Sequence, residues 1–373
     1  MIYIISPFEN DFESRGTRNL SLYKRLIGNG ESVKFITSNF SHQNKNKVSH
    51  DDFSKDINYK IIDVIPYNRN LSVKRFLTHI DFSIKLYLYL YKVIQNGDKI
   101  IVSSIPPEMI FVLTLLKGNK DIEITLDVRD IWPDALPLGG LKKKLFKLYC
   151  NFFYSRCDSH VDNITYVAES FKYKWINKYC PSHNGFFLPL GYDDLRWGRD
   201  SSKKNRNNLK FVYIGYLQSQ FPLKEIIESV NDKDGFELHI IGDGENKRKY
   251  EEISSKNIIF HGNQPLDKAA ELVSNSDVGI LPISGNAQMP NKLFDYLGAA
   301  LPILSIGDTD SSRFVIDNNI GWTSGFNVAE LESIIADIKD NIEEKEFNVK
   351  SIRSKYSKEK LYDKFVNILK GKL

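Results

Sequence analysis

At roughly 150 residues per domain, 373 residues hold about two domains. Apolar residues make up 42% and aromatics 12%, enough to fill two ordinary cores, which excludes disordered and fibrous classes. Lys and Arg (51) exceed Asp and Glu (47) by only four, a charge too mild for a dedicated nucleic-acid binder, so none is expected as partner.

The chain opens Met-Ile-Tyr-Ile-Ile-Ser and meets Glu9, Asp11 and Glu13 soon after. This start lacks the basic residues and long apolar stretch of a secretory signal. Cys150, Cys157 and Cys180 are odd in number and lack CxxC spacing, which points to a reducing compartment, so the expected location is cytoplasmic.

In chain order, Ile2–Ser6 reads as a strand. Leu20, Tyr23, Leu26 and Ile27 then recur at helical spacing, Gly28 and Gly30 close that helix, and Val33–Thr37 is a second strand. This βαβ unit predicts a parallel sheet. Further strands fit Lys99–Ser103, Ile122–Asp127, Asn163–Val167 and Phe186–Pro189. The stretch from Asp200 to Asn208 has no apolar residue and reads as a linker. After it the alternation restarts with strands at Leu209–Gly215, Glu237–Ile241, Asn257–His261, Val278–Pro282, Pro302–Ser305 and Gly321–Thr323 and a helix at Lys224–Val230. The expected fold is α/β, two doubly wound Rossmann-like domains over residues 1–199 and 209–354, with a last helix of about 355–373 returning to the first. Open parallel sheets bind ligands at the carboxyl ends of strands, so the expected site is a cleft between the two sheets.

The most informative segment is Met289-Pro-Asn-Lys-Leu-Phe-Asp-Tyr-Leu-Gly298, a loop running into a helix opened by Pro290. The backbone N–H groups of such a helix start receive an anion, with Pro290 and Asn291 framing it and Lys292 adding charge. Asp295, one turn on, suits two vicinal hydroxyls. The same residues also fit a plain amphipathic helix with a solvated Lys and Asp. A second segment, Thr125-Leu-Asp-Val-Arg-Asp-Ile-Trp-Pro-Asp134, ends a strand in a charged loop. Asp130 there is either a reactive carboxylate or a helix cap paired with Arg129. Ser103-Ser-Ile-Pro-Pro107 follows another strand as a rigid turn. Ser14-Arg-Gly-Thr-Arg18 places Gly16 at the mouth of a helix, where backbone approaches a ligand closely.

Together these blocks resemble retaining glycosyltransferases of family 4, which have the GT-B fold. The resemblance is nearest to the bacterial branch that builds O-antigen and capsule units, typified by N-acetylfucosamine transferases. It spans nearly the whole chain, most loosely at residues 40–98. Pro290, Lys292, Asp295 and Tyr296 match that branch's Pro-x-Lys-x-x-Glu/Asp-Tyr helix start, and Arg129, Asp130, Trp132 and Pro133 its Arg-Asp-x-Trp-Pro loop. The resemblance implies a first domain that binds acceptor and a second that binds a nucleotide sugar. It implies that Lys292 holds the donor diphosphate and Asp295 the ribose, with Gly215, Gly242, Gly244 and Asn263 also on the donor. Asp130 positions the acceptor hydroxyl, with Arg15, Gly16, Arg18 and Arg129 beside it. Lys292 and Asp130 are the expected catalytic pair.

Two departures stand out. The first of the family's two spaced glutamates falls on Ala287, and the phosphate-binding Arg after the first Gly is Tyr216. The implied reaction moves a sugar from a nucleotide diphosphate, UDP before GDP, to a saccharide on polyprenyl diphosphate, with no cofactor and no metal. A UDP-sugar 2-epimerase on the same fold and a catalytically weak nucleotide-sugar-binding protein are the alternatives. Lys142, Lys143, Lys144 and Lys147 with Phe152 and Phe153 form a basic aromatic stretch. It reads either as a helix with a core face and a solvated face or, given the lipid-linked acceptors of the family, as a contact with the inner membrane surface.

Overall fold

Runs of β-branched residues alternate with helical patterns throughout, and each run becomes a parallel strand. The computed structural model describes residues 1–9, 18–136, 138–197, 208–285 and 289–372. The chain divides into two units, Met1–Leu188 with Tyr362–Leu373, and Pro189–Leu361. The division falls at Leu188/Pro189. Of the polar stretch at 200–208, only Asn208 lies among the described residues.

The first unit contains β1 (Ile2–Ile5), β2 (Val33–Ser38), β3 (Phe40–Ser41), β4 (Asn46–Lys47), β5 (Tyr59–Ile62), β6 (Lys99–Ser103), β7 (Glu123–Val128), β8 (Asn163–Tyr166) and β9 (Phe186–Phe187). Seven of these form a parallel sheet in the order β5-β2-β1-β6-β7-β8-β9, while β3 and β4 pair separately as an antiparallel hairpin. All four residues of β1 are buried, as a strand covered on both faces requires. The order reverses between β1 and β6, so their carboxyl ends open a crevice. The last helix, Lys358–Leu369, is tied into this unit by Asp363 to Arg25 Nε at 2.7 Å and Lys370 to Glu31 at 2.9 Å.

The second unit contains β10 (Leu209–Ile214), β11 (Phe236–Ile241), β12 (Ile258–Gly262), β13 (Val278–Pro282), β14 (Ile303–Ile306) and β15 (Gly321–Ser324), in the parallel order β12-β11-β10-β13-β14-β15. Its reversal lies between β10 and β13. One core face is closed by the helix Val328–Arg353, whose Leu331, Ile335, Ile338 and Ile342 recur at i, i+4, i+7 and i+11 and are buried with Phe211, Leu238 and Leu304.

Candidate functional site

In the second unit the helix Asn291–Gly298 starts beyond the carboxyl end of β13, beside the reversal point. Pro290 is its N-cap rather than its first residue. A proline side chain has nothing to offer the first N–H groups, and no side-chain cap is made. Asn291 is exposed at the start, whereas Lys292 is 8% exposed.

The Lys292 ammonium is set in an aromatic cage. Nζ lies 3.7 Å from the Phe221 ring centre and 4.1 Å from that of Tyr213, and donates to the Tyr213 hydroxyl at 2.9 Å. That hydroxyl in turn donates to the Tyr216 carbonyl at 2.9 Å. No carboxylate pairs with Lys292 among the described residues. Ring faces compensate only part of the lost hydration. Burial therefore lowers the amine to about 7, with the charge of Asp295 acting in the opposite direction. Such a cation gains from an incoming anion.

Gly215, which ends β10, is needed where it stands. Its φ is 145°, and a Cβ there would lie 2.8 Å from Lys292 Nζ. Gly242, after β11, has φ 138°, and a Cβ would meet the Gly215 carbonyl oxygen at 1.9 Å. The Gly-x-Gly turn thus brings two strand ends together beside the Lys292 amine. Gly244 continues this turn, and Leu217 N donates to the Asp243 carbonyl at 2.9 Å. Asn263 is exposed in the loop after β12.

Asp295 is half-buried one turn beyond Lys292, and its Oδ1 accepts from the Trp197 indole at 2.8 Å. Burial raises its carboxyl to about 6, against the Trp197 hydrogen bond and the charges of Arg196, Lys358 and Lys292. Tyr296 is fully buried and structural, donating to the Ile280 carbonyl at 3.0 Å. Ala287 lies outside the described residues.

In the first unit the carboxyl ends of β1, β6 and β7 carry the polar residues. Asp127, at the end of β7, is buried and accepts from Arg18 Nε at 2.9 Å, Arg18 Nη2 at 3.3 Å and Thr165 at 2.7 Å. Arg18 also donates to the Leu188 carbonyl at 2.9 Å and is 5% exposed. Arg18, expected on the acceptor side, is therefore spent inside the fold on a buried ion pair. Arg15 and Gly16 lie outside the described residues.

Arg129 reaches buried Glu9, with Nη1 3.4 Å from Oε2, and Glu9 also accepts from the Leu20 N–H at 2.8 Å. Burial raises the Glu9 carboxyl against these contacts. For Arg129 burial works against the charge, but Glu9, Asp127 and Asp130 outweigh it.

Asp130 is exposed, and among the described residues its carboxylate has no hydrogen-bond or ion-pair partner. The next helix starts only at Gly140, so Asp130 caps nothing, and Arg129 pairs elsewhere. The surrounding protein raises the Asp130 carboxyl, opposed by Arg129 and Arg75. Its backbone is fixed by Ser104, whose hydroxyl donates to the Asp130 carbonyl at 3.0 Å.

The helix Gly140–Tyr154 has two apolar faces. Phe146, Cys150 and Tyr154 are buried. Opposite them Leu141, Leu145, Leu148 and Phe152, at i, i+4, i+7 and i+11, stand 58% to 71% exposed, flanked by exposed Lys142, Lys143, Lys144 and Lys147. Phe153 is half-buried against Phe111 and Tyr149 and does not join this ridge. The helix Val73–Val93 carries a similar exposed row, Val73, Leu77, Ile84, Leu88 and Tyr91. No helix among the described residues is long and apolar enough to cross a membrane.

Sequence reasoning did not single out Trp197, Tyr213, Phe221, Glu9 or Arg75. Each reaches its partner from a distant part of the chain, so no local motif marks it.

Comparison with known proteins fits this geometry. Residues 208–343 match the family described as Glycosyl transferases group 1. No curated protein matches the chain. Among solved structures, WaaG, a glycosyltransferase involved in lipopolysaccharide biosynthesis, is 11% identical, with 100% of both chains covered and a TM-score of 0.65. The lipopolysaccharide outer core galactosyltransferase WaaB is 14% identical over 100% of this chain and 99% of its own, at 0.67. Anabaena HepE, solved in complex with UDP, is 10% identical over 99% of each chain, at 0.69. The fold is that of GT-B glycosyltransferases.

Proposed function

We propose that the protein is a retaining glycosyltransferase of family 4 type. It moves a hexosyl or N-acetylhexosaminyl group from a nucleotide diphosphate, UDP by preference, to a saccharide carried on polyprenyl diphosphate in surface polysaccharide synthesis. The observation that carries the reading is Lys292: a buried cation with no carboxylate partner among the described residues, at the start of a helix, at the sheet reversal, inside the segment that matches group 1 glycosyltransferases. HepE, of the same fold, was solved with UDP and with UDP-glucose.

In this reading the diphosphate lies against the helix start and the close-packed Gly215 and Gly242, and Lys292 meets its charge. That charge grows as the bond from the anomeric carbon to the phosphate oxygen breaks, so Lys292 stabilises the transition state more than the ground state. The acceptor oxygen bonds to the same face of the sugar, and its proton leaves on the departing diphosphate. Asp130 accepts a hydrogen bond from a neighbouring hydroxyl of the acceptor and so positions the attacking oxygen. Asp295 takes ribose hydroxyls on the oxygen that Trp197 leaves open, and Asn263 lies by the base. No resident metal takes part. The leucine ridge and lysines of Gly140–Tyr154 rest on anionic lipid at the inner membrane face, where the acceptor resides.

A thermal-shift titration with UDP, GDP, CMP and ADP tests the donor assignment. A ligand that binds only the folded state raises the melting temperature with concentration. UDP is expected to do so, and no shift with any of the four overturns the reading. Incubation with UDP-sugars and no acceptor then separates the classes, since isomerised sugar in place of transfer identifies an epimerase.

A further inference from the structure

Arg75 lies in the first turn of the helix Val73–Val93, in the stretch least marked by motif. Its guanidinium carbon sits 5.1 Å from the Trp132 ring centre and 6.0 Å from that of Tyr67. Nη1 donates to the Asn70 carbonyl at 2.9 Å, and Nε to His79 Nε2 at 3.4 Å. Trp132 and Tyr67 are buried, so the rings under the guanidinium are fixed. Nη2 donates to nothing among the described residues. Arg75 and Asp130 influence each other electrostatically yet do not reach ion-pair distance. Trp132, over whose ring Arg75 sits, follows Asp130 by two residues in the same loop, so a held donor and an unpartnered acceptor of opposite charge share one loop and suit a group that both accepts and donates. A sugar hydroxyl is such a group.

We propose that Arg75 is the positioning residue of the Asp130 site, donating from Nη2 to the oxygen of an acceptor saccharide hydroxyl whose proton is directed at the Asp130 carboxylate. The inference rests on the transferase reading for its ligand but not for its geometry. The charged groups facing Asp130 are Arg129 from its own loop and Arg75 from the helix. Arg129 is engaged with Glu9, which among the described residues leaves Arg75 as the cation available to the site. Behind Arg75 lie Tyr67, Glu108 and His79, with His42 and Lys45 beyond. Burial holds His42 and His79 neutral at pH 7, so neither adds charge beside Arg75.

The test is a carboxyl carbon-13 NMR titration of Asp130, assigned with Asp130→Asn, in the full chain and in Arg75→Gln and Arg75→Lys. Removing the cation is expected to move the Asp130 midpoint upward by about half a pH unit or more. Arg75→Lys keeps the charge and is expected to restore most of the midpoint. Because it lacks the planar fork, it is also expected to leave the acceptor KM raised about tenfold with the donor KM unchanged. A folded Arg75→Gln whose Asp130 midpoint does not move overturns the inference. If Arg75→Gln fails to fold, an Arg75→Lys with unchanged acceptor KM overturns it equally. A moved midpoint in a protein that transfers no sugar from any nucleotide donor overturns the function and leaves the pairing of Arg75 with Asp130 standing.

Discussion

The Trp197 indole donates to Asp295 Oδ1 at 2.8 Å, so the carboxylate assigned to the ribose already has one oxygen engaged. Asp295→Ala is expected to weaken UDP binding by roughly 1–3 kcal/mol, the loss of a charged hydrogen-bond acceptor. An unchanged dissociation constant by calorimetry removes Asp295 from the donor site. Trp197→Phe deletes the bond that holds the carboxyl down, so Asp295 then titrates above its present value of about 6. UDP affinity in this variant is expected to fall on acidification at a higher pH than in the wild type.

Lys292 titrates near 7, and a bound diphosphate favours its charged form. At pH 8, UDP binding is therefore expected to take up close to one proton. Calorimetry in buffers of different ionisation enthalpy measures the uptake, and Lys292→Met is expected to abolish it. Stability carries a matching signature. The folded value is depressed, so between about 7 and the ordinary lysine range near 10.4 the unfolded chain holds a proton that the folded chain has lost. Stability then rises with pH in that window, by up to about 1.4 kcal/mol per pH unit. The contribution disappears in Lys292→Met, which denaturant titrations at pH 7 and 9 will show.

Asp130→Asn keeps the size of the side chain and removes its charge. Turnover is expected to drop at least tenfold with UDP affinity unchanged. Loss of UDP binding, or unchanged turnover, contradicts the acceptor-side role.

Arg18→Met leaves Asp127 charged and buried, with the Thr165 hydroxyl still donating to it. Breaking one side of a buried pair costs about 3–5 kcal/mol, so a large fall in the denaturation midpoint is expected. UDP affinity at a temperature where the variant stays folded is expected to be unaltered. A weakened affinity there would restore Arg18 to the ligand site.

The ridge on Gly140–Tyr154 predicts co-sedimentation with vesicles containing phosphatidylglycerol and release by salt. Leu145→Glu with Leu148→Glu is expected to abolish binding without changing the melting temperature, because both side chains are exposed. Replacing the four lysines by Gln is expected to remove the salt dependence. Equal binding to neutral vesicles before and after these changes contradicts the reading.

The alternating architecture was legible because fully buried parallel strands are short apolar runs. Lys99–Ser103 and Val278–Pro282 match their observed bounds, and most other strands differ by a residue or two. Strand β5, Tyr59–Ile62, escaped because it is an edge strand of four residues with an intermediate burial pattern. The helix Val328–Arg353 escaped because its polar side carries most of the residues. At the sites, Lys292 and Asp130 stood out through their local motifs. Arg18 looked like a ligand contact because its pairing with Asp127 spans 109 residues and leaves no local trace. The aromatic cage of Lys292 is likewise built from afar, since Tyr213 and Phe221 come from the other side of the sheet reversal.

An amine that titrates near 7 is a nucleophile under conditions where other lysines are not. In the unliganded protein Lys292 therefore offers one site for selective acylation or imine formation by an electrophile small enough to reach it. Once a diphosphate restores its proton, that reactivity disappears. The rate of covalent labelling at this one residue would then report, without a substrate assay, the fraction of molecules holding a nucleotide.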